Sequence, residues 1–280
     1  MRPRLVALLE PLLGGLAALI VPGYAFMLGL GALIGAALVV DRARRAGFAR
    51  ADSLAVLSRA YVAGLAGAGA VPLGQAALAW IEGGRFAAPT GIAAYGGLVG
   101  GAAGALVALR ARRMDAARFF DAGAPAIGLG YAFARVGCFL AGCDYGAPTL
   151  GPLGTTFPPG SYAFRDQVAR GLLDPAAPAS LPVHPTQLYA SLSGLALFAL
   201  ASAIPARRPG ARFAWVVVAY AALRAGLETL RGDASRGHLG PLSTAQIFAL
   251  ATGGAALVFL ARRAPPPHDG GVVDGRGGPG

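Results

Sequence analysis

Lysine is missing from this sequence, cysteine is nearly so, and charge is scarce. Charged side chains make up 13% of the 280 residues, where an ordinary soluble domain carries about 25%. With 55% hydrophobic residues, that shortage argues against a water-soluble fold and points to a bilayer as solvent. The two cysteines, Cys138 and Cys143, are too few for a disulfide scaffold, and no zinc-type spacing with histidine accompanies them. All 24 basic residues are arginine, and the net charge is +11. A basic balance can mark a nucleic-acid binder. Here the arginines punctuate apolar runs, so membrane topology accounts for most of them and no nucleic-acid partner is expected.

What is present is a series of apolar runs. The stretch Leu5–Val40 would be roughly 54 Å long as one helix, too long for one span. It is too short for two spans with a turn. It reads as an interfacial helix to about Leu13, then a first span from Leu19 to Val40 that contains Pro22 and Tyr24. Arg2 and Arg4 before an apolar stretch resemble a signal peptide, but Glu10, Pro11 and the continuing apolar run argue against cleavage. Six further runs lie near Leu54–Ile81, Ile92–Leu109, Phe119–Ala141, Pro185–Ile204, Phe213–Leu230 and Leu242–Leu260. Each has the roughly 18 residues that crossing requires. The expected fold is an all-α transmembrane bundle of about seven spans over residues 1–264. The 43 glycines, with Gly96-Gly97, Gly100-Gly101 and Gly104 among them, are read as close helix–helix packing, since lipid gives helices no hydrophobic reason to associate.

Arginine placement predicts orientation. Arg42, Arg44, Arg45 and Arg50 follow the first span, and Arg110, Arg112, Arg113 and Arg118 follow the third. Arg207, Arg208 and Arg212 follow the fifth, and Arg262 and Arg263 the seventh. The positive-inside rule puts these in the cytoplasm, with the N-terminus outside and the C-terminus inside. Arg2 and Arg4 dissent, which an interfacial helix tolerates. The segment 144–183, rich in Pro and Gly, exceeds an ordinary loop and reads as a small external head or lid. The tail 265–280 reads as disordered.

Ionisable groups inside a bilayer are rare and usually functional. Tyr220, Arg224, Glu228 and Arg231 recur every three or four residues, making one polar stripe on an apolar helix. The plainer reading is an internal Arg224–Glu228 ion pair that packs the bundle. The functional one is an anion site, because the planar guanidinium fork suits phosphate. Arg135 lies within an apolar run, with Asp144 beyond its end and Gly142 and Gly146 permitting a tight exit. Snorkelling to the interface competes with a buried role there. His184, Gln187 and Tyr189, in the run His-Pro-Thr-Gln-Leu-Tyr, offer hydrogen bonds where the fifth span begins. Alone, such a histidine is more often a cap than a catalyst. All three clusters lie toward the same half of the bilayer. Cys138 and Cys143 read mainly as small packing residues, with a disulfide or a reactive thiol as weaker alternatives.

At these residues the sequence resembles the prolipoprotein diacylglyceryl transferase family. Ala134–Phe139 is similar to its Gly-Arg-x-Gly-Asn-Phe pattern. His184–Tyr189 matches its His-Pro-Thr-Gln-Leu-Tyr, and Arg224–Asp233 resembles its Arg/Glu/Arg stripe. Ala245-Gln246-Ile247, Tyr24 and Tyr95-Gly96-Gly97-Leu98 also resemble family motifs, so the likeness runs from about residue 18 to 261. Three positions depart from the pattern: Tyr95 stands for a histidine, Cys138 for an asparagine and Asp144 for a glutamate. An arginine on the second span is also missing near Gly67–Pro72.

The resemblance implies transfer of the diacylglyceryl group of phosphatidylglycerol to the lipobox cysteine of a preprolipoprotein, at the outer face of a bacterial inner membrane. No cofactor or metal is implied. It assigns a catalytic set of Tyr24, Tyr95, Arg135, Asp144, His184, Tyr220, Arg224 and Glu228. Arg135, Gly137, Gly146, Gln187, Tyr189 and Arg231 would contact substrate. The arginines would hold phosphate, Glu228 would orient Arg224, and His184 would shape the outer rim. The competing function is a phospholipid-binding or transport paralogue that keeps the anion cavity without the transfer chemistry.

Overall fold

A computed structural model of the chain describes residues 23–81, 94–205, 207–232, 238–239 and 241–262. Its long helices are α1 (Gly23–Arg45), α2 (Arg50–Ile81), α3 (Ala94–Ala111), α4 (Ala116–Ala141), α6 (Thr186–Ala203), α7 (Ala211–Glu228) and α8 (Thr244–Arg262). A short helix, α5 (Tyr162–Ala169), lies between α4 and α6. A two-stranded hairpin of β1 (His238–Leu239) and β2 (Leu242–Ser243) precedes α8. The helices fall on the apolar runs read from the sequence, and the fold is a polytopic membrane bundle. Five helices are long and apolar enough to cross a membrane. Helix α7 is interrupted by Arg212, Arg224 and Glu228, and α3 offers a shorter apolar stretch over 96–111. The interfacial helix, Arg2, Arg4, Asp233 and the 265–280 tail lie outside the described residues.

Glycine sets the closest approach. Helices α2 and α3 pack along Gly64, Gly67, Gly96, Gly97, Gly100 and Gly104. A Cβ on Gly67 would sit 2.3 Å from the Gly96 carbonyl oxygen, and one on Gly100 2.3 Å from that of Ala63. The two backbones therefore touch, as a small-residue seam in lipid requires. Helix α4 packs against both α1 and α6, and α7 against α8. On α4, Gly128 meets α6 at Gly194: a Cβ on Gly194 would lie 2.7 Å from the Gly128 carbonyl oxygen.

At the arginine-rich end, Val39 and Ala43 of α1, Val56 of α2, Ala105, Ala108 and Leu109 of α3, and Phe119, Ala122 and Ala126 of α4 form one buried cluster. Phe48 meets Phe119 edge-on at 5.6 Å between ring centres. Pro125, inside α4, lacks an N–H, so the carbonyl four residues earlier is left without its helical donor. That carbonyl belongs to Asp121, and Arg212 Nη1 donates to it at 3.1 Å. The Asp121 carboxylate accepts from the N–H groups of Gly210 (2.7 Å) and Phe213 (2.8 Å). It thereby caps α7, whose own N-cap residue is a glycine without a side-chain oxygen.

The segment after α4 has its own small core of Tyr145, Phe157, Ala163 and Val183, with Phe139 against it. Residues 145–147 run between two neighbours. Gly146 N–H donates to the His184 carbonyl at 2.9 Å, and Ala147 N–H to that of Leu230 at 2.8 Å. Gly232 N–H returns to the Tyr145 carbonyl at 3.2 Å. One backbone strip thus joins the end of α4 to the approach to α6 and the exit from α7.

Candidate functional site

Helix α4 ends at Ala141 because Gly142 adopts the left-handed region (φ 74°) and turns its N–H back to the Cys138 and Phe139 carbonyls. The turn brings Cys143 and Asp144 back over the last helical residues. Asp144 is itself left-handed (φ 56°), a conformation that aspartate tolerates better than most residues. Arg135 Nη1 reaches Asp144 Oδ2 at 2.5 Å, and Arg231 Nη2 reaches Oδ1 at 2.7 Å. Two guanidiniums, 96 residues apart in sequence, therefore share one carboxylate. Burial alone would raise the Asp144 carboxyl, but Arg135 and Arg231 outweigh it and hold the group below its usual range.

The Arg231 position is fixed through the backbone, since Gly146 and Arg231 bridge antiparallel. Gly146 has no room for a side chain: a Cβ would lie 2.6 Å from His184 Cβ and 2.7 Å from its carbonyl oxygen. A Cβ on Gly232 would lie 2.6 Å from the Gly146 carbonyl oxygen. Two side chains of the His-Pro-Thr-Gln-Leu-Tyr run hold the α4 exit. Thr186 Oγ1 donates to the Asp144 carbonyl at 2.8 Å, and Gln187 Nε2 to the Cys143 carbonyl at 2.7 Å. His184 Nδ1 lies 3.4 Å from the Tyr189 hydroxyl.

On α4, the Arg135 guanidinium stacks 4.9 Å from the Tyr131 ring centre, a cation–π contact. Tyr220 of α7 meets Tyr131 edge-on at 5.4 Å. Helices α4 and α7 both run toward the Asp144 end, so one turn beyond this contact they carry Arg135 and Arg224 at a common level. Arg224 pairs with Glu228 on its own helix, with side-chain exposures of 11% and 3%. The internal ion pair read from the sequence is present. The stripe also does more, since Tyr220 and Arg231 connect it to α4 and to Asp144. Gly137 lets α1 approach: a Cβ there would sit 3.2 Å from Tyr24 Cα. Tyr24 lies within electrostatic reach of Arg135, Asp144 and both cysteines.

Of the expected site residues, the structure therefore gathers Tyr24, Arg135, Gly137, Asp144, Gly146, His184, Gln187, Tyr189 and Arg231 around the α4 exit, with Tyr220 deeper, against Tyr131. Arg224 and Glu228 lie one and two turns along α7 from Tyr220. Tyr95 is in the first turn of α3, and its side chain lies outside the described residues. Sequence reading missed Tyr131, although its place four residues before Arg135 is a helical neighbour spacing. It also set Cys138 and Cys143 apart on a helix face. Because α4 stops at Ala141, helical spacing does not apply to Cys143, and the two thiols and an Asp144 oxygen lie within 4.8 Å of one another. Both cysteines are free, and Cys138 Sγ lies 3.5 Å from Asp144 Oδ2. That trio makes a poor cation site, since Asp144 already answers two positive charges.

Three carboxylate or guanidinium partners converge here, and Arg135 Nε is buried without an acceptor among the described residues. Arg135 and Arg231 face Asp144, and Arg224 faces Glu228. A centre so rich in guanidinium suits an anion with several oxygens.

Residues 12–262 match the family model described as prolipoprotein diacylglyceryl transferase. The chain is 36% identical over 143 residues to the phosphatidylglycerol–prolipoprotein diacylglyceryl transferase of Clostridium tetani, covering 50% of this chain and 51% of that one. It is 34% identical over 128 residues to transferase 2 of Clostridium perfringens, covering 45% and 44%. It is 36% identical over 135 residues to the Caulobacter vibrioides transferase, covering 46% and 43%. The chain spans about half the length of the curated relatives it matches. The family match, by contrast, runs through every described helix, and this chain belongs to the prolipoprotein diacylglyceryl transferase family.

Proposed function

We propose that this protein moves the diacylglyceryl group of phosphatidylglycerol to a cysteine thiol of a preprolipoprotein lipobox. The relatives it matches carry that activity in their names. The observation that carries the reading is the Arg135–Asp144–Arg231 centre with its unsatisfied Arg135 Nε. A phosphodiester is an anion whose several oxygens suit such guanidinium donors.

In the reaction, the thiolate sulfur forms a bond to the glyceryl carbon. The bond from that carbon to the phosphate oxygen breaks, and the oxygen keeps the electron pair. The thiol proton goes to a base, and glycerol phosphate departs. The leaving phosphate passes from about one negative charge toward two. Arginines already fixed in place favour that change without having to reorganise, which is how a preorganised site lowers a barrier. Asp144 stays ionised beside its arginines, so it acts as their positioning residue and not as the base. Arg224, aligned by Glu228, and the Tyr24 and Tyr220 hydroxyls supply further donors. His184, Gln187 and Tyr189 form the rim by which the lipobox peptide approaches, and Gly137 and Gly146 keep the floor low. The 144–183 segment is a head fastened over this rim.

The arginine-rich end is cytoplasmic and the Asp144 end periplasmic, in an inner membrane. The positive-inside rule supports this orientation, since Arg42, Arg45, Arg118, Arg207 and Arg212 crowd one end of the bundle. Purified protein with phosphatidylglycerol and a lipobox peptide should yield a diacylglyceryl peptide and free glycerol phosphate by mass spectrometry. Arg231→Ala should lower the rate by at least about 100-fold, the loss expected for a transition-state charge donor. Retention of phosphatidylglycerol with no glycerol phosphate released would instead support the lipid-binding paralogue, a reading favoured by Tyr95 where the family has histidine.

A further inference from the structure

A second cluster of arginines lies a helix length from the first. A cavity of about 450 Å³ opens at the arginine-rich end between α1, the start of α4 and the α6–α7 connection. Arg42, Arg45, Arg118, Arg207 and Arg212 line it, with Asp121 as the one carboxylate among its described lining residues. Asp121 is 2% exposed, and its oxygens are already engaged by the α7 backbone, as described above. The cavity is therefore strongly positive, and the N-terminal end of the α7 dipole adds to it.

Most of these arginines answer to neutral atoms. Arg42 Nη2 donates to the Ser202 hydroxyl at 3.0 Å, and Arg118 Nη2 to the Ala46 carbonyl at 2.9 Å. Arg212 donates to the Ile204 and Asp121 carbonyls at 2.8 and 3.1 Å. Among the described residues, only Arg45 of these five has a carboxylate partner, Asp41, at 2.9 Å. Arg42 also faces like-charge repulsion from Arg212 and Arg45, set against attraction from Asp41. Snorkelling arginines would spread apart into water to relieve such repulsion. These converge from three chain segments on one concave space.

We propose that this cavity is a binding site for a phosphate-bearing anion, separate from the Arg135–Asp144–Arg231 centre and independent of the transfer reaction. Two sources share that chemistry: the headgroup of an anionic phospholipid in the adjoining leaflet, or a soluble phosphate. A basic pocket between transmembrane helices is a usual seat for such headgroups, and 450 Å³ exceeds what a bare phosphate fills.

The test uses the full chain in neutral detergent and in nanodiscs. Native mass spectrometry counts retained phosphatidylglycerol in wild type and in the Arg45→Gln/Arg207→Gln double variant. These two side chains lie on the exposed rim of the cavity. Thermal shifts are then read on adding phosphatidylglycerol nanodiscs, phosphatidylcholine nanodiscs or inorganic phosphate. The double variant should retain one phosphatidylglycerol fewer, with affinity weakened about fivefold for each arginine removed. Arg45→Lys/Arg207→Lys should keep most of the binding, which separates charge from folding. A thermal shift with inorganic phosphate alone, abolished in the Gln variant, supports the site and assigns its source as soluble. Equal retention in wild type and Gln variant, or no preference for phosphatidylglycerol over phosphatidylcholine with no phosphate shift, overturns the proposal.

Discussion

Asp144 joins three constraints in one residue: a left-handed backbone, a shared carboxylate and a position just beyond a helix end. Asp144→Asn keeps the backbone tolerance and removes the charge, leaving Arg135 and Arg231 facing each other. Losing one member of a buried charge cluster costs about 3–5 kcal/mol, so a clear drop in thermal midpoint is expected. The pH dependence has a definite sign. The folded carboxyl titrates below its ordinary 3.8. Its stabilisation is thus fully present above that value and disappears as pH falls through the lower, folded one. The gap in thermal midpoint between wild type and Asp144→Asn should therefore be constant above about pH 5 and shrink below about pH 4. A gap unchanged down to pH 2 would refute the assignment. Gly146→Ala tests the neighbouring backbone: with His184 2.6 Å from the new Cβ, about 1–3 kcal/mol of strain is expected, together with loss of the Asp144–Arg231 alignment. The same residues mark the limit of sequence reading. Arg135, Asp144 and Arg231 could be singled out as charges in apolar surroundings. That they meet at one carboxylate depended on the turn at Gly142 and the backbone bridge to Gly146, and neither leaves a hydrophobic pattern.

At the scale of elements, periodicity and length served well for helices and poorly between them. The apolar runs became helices because a bilayer leaves the backbone no other partner. The strip formed by 145–147, 184 and 230–232 is held by main-chain hydrogen bonds, which side-chain identity scarcely encodes. The glycines of α2 and α3 offer a matched comparison. Gly67 faces the Gly96 backbone, whereas Gly69 and Gly74 have open space where a Cβ would go. Gly67→Ala should destabilise the protein by about 1–3 kcal/mol. Gly69→Ala should be neutral or slightly stabilising, since it removes backbone freedom from an exposed helix. Thermal unfolding of the two variants in one detergent reads the difference directly. Equal midpoints would mean that the seam is looser than the backbone contact implies.

For the whole molecule, helices α1, α4, α6 and α7 carry or adjoin the charged centre and α8 packs on α7, while α2 and α3 form a pair to one side. The buried residues of α2 away from the glycine seam, Ser53 and Val56, lie in its first two turns. There the Val39–Phe119 cluster anchors both helices to the bundle. Farther along, Val62, Leu65, Leu73, Leu78, Trp80 and Ile81 are all exposed, as are Leu98 and Val99 at the corresponding end of α3. Among the described residues, this pair is a prong rooted at its base. A prong of that kind pivots where it is gripped and swings most at its tip, so spin labels at Leu78 and Leu140 should report a broader distance distribution than labels at Val56 and Ala122. The greasy side chains toward its tip are exposed among the described residues. Because the grip lies at the base of the pair, its tip can lean without any part of the charged centre having to come apart.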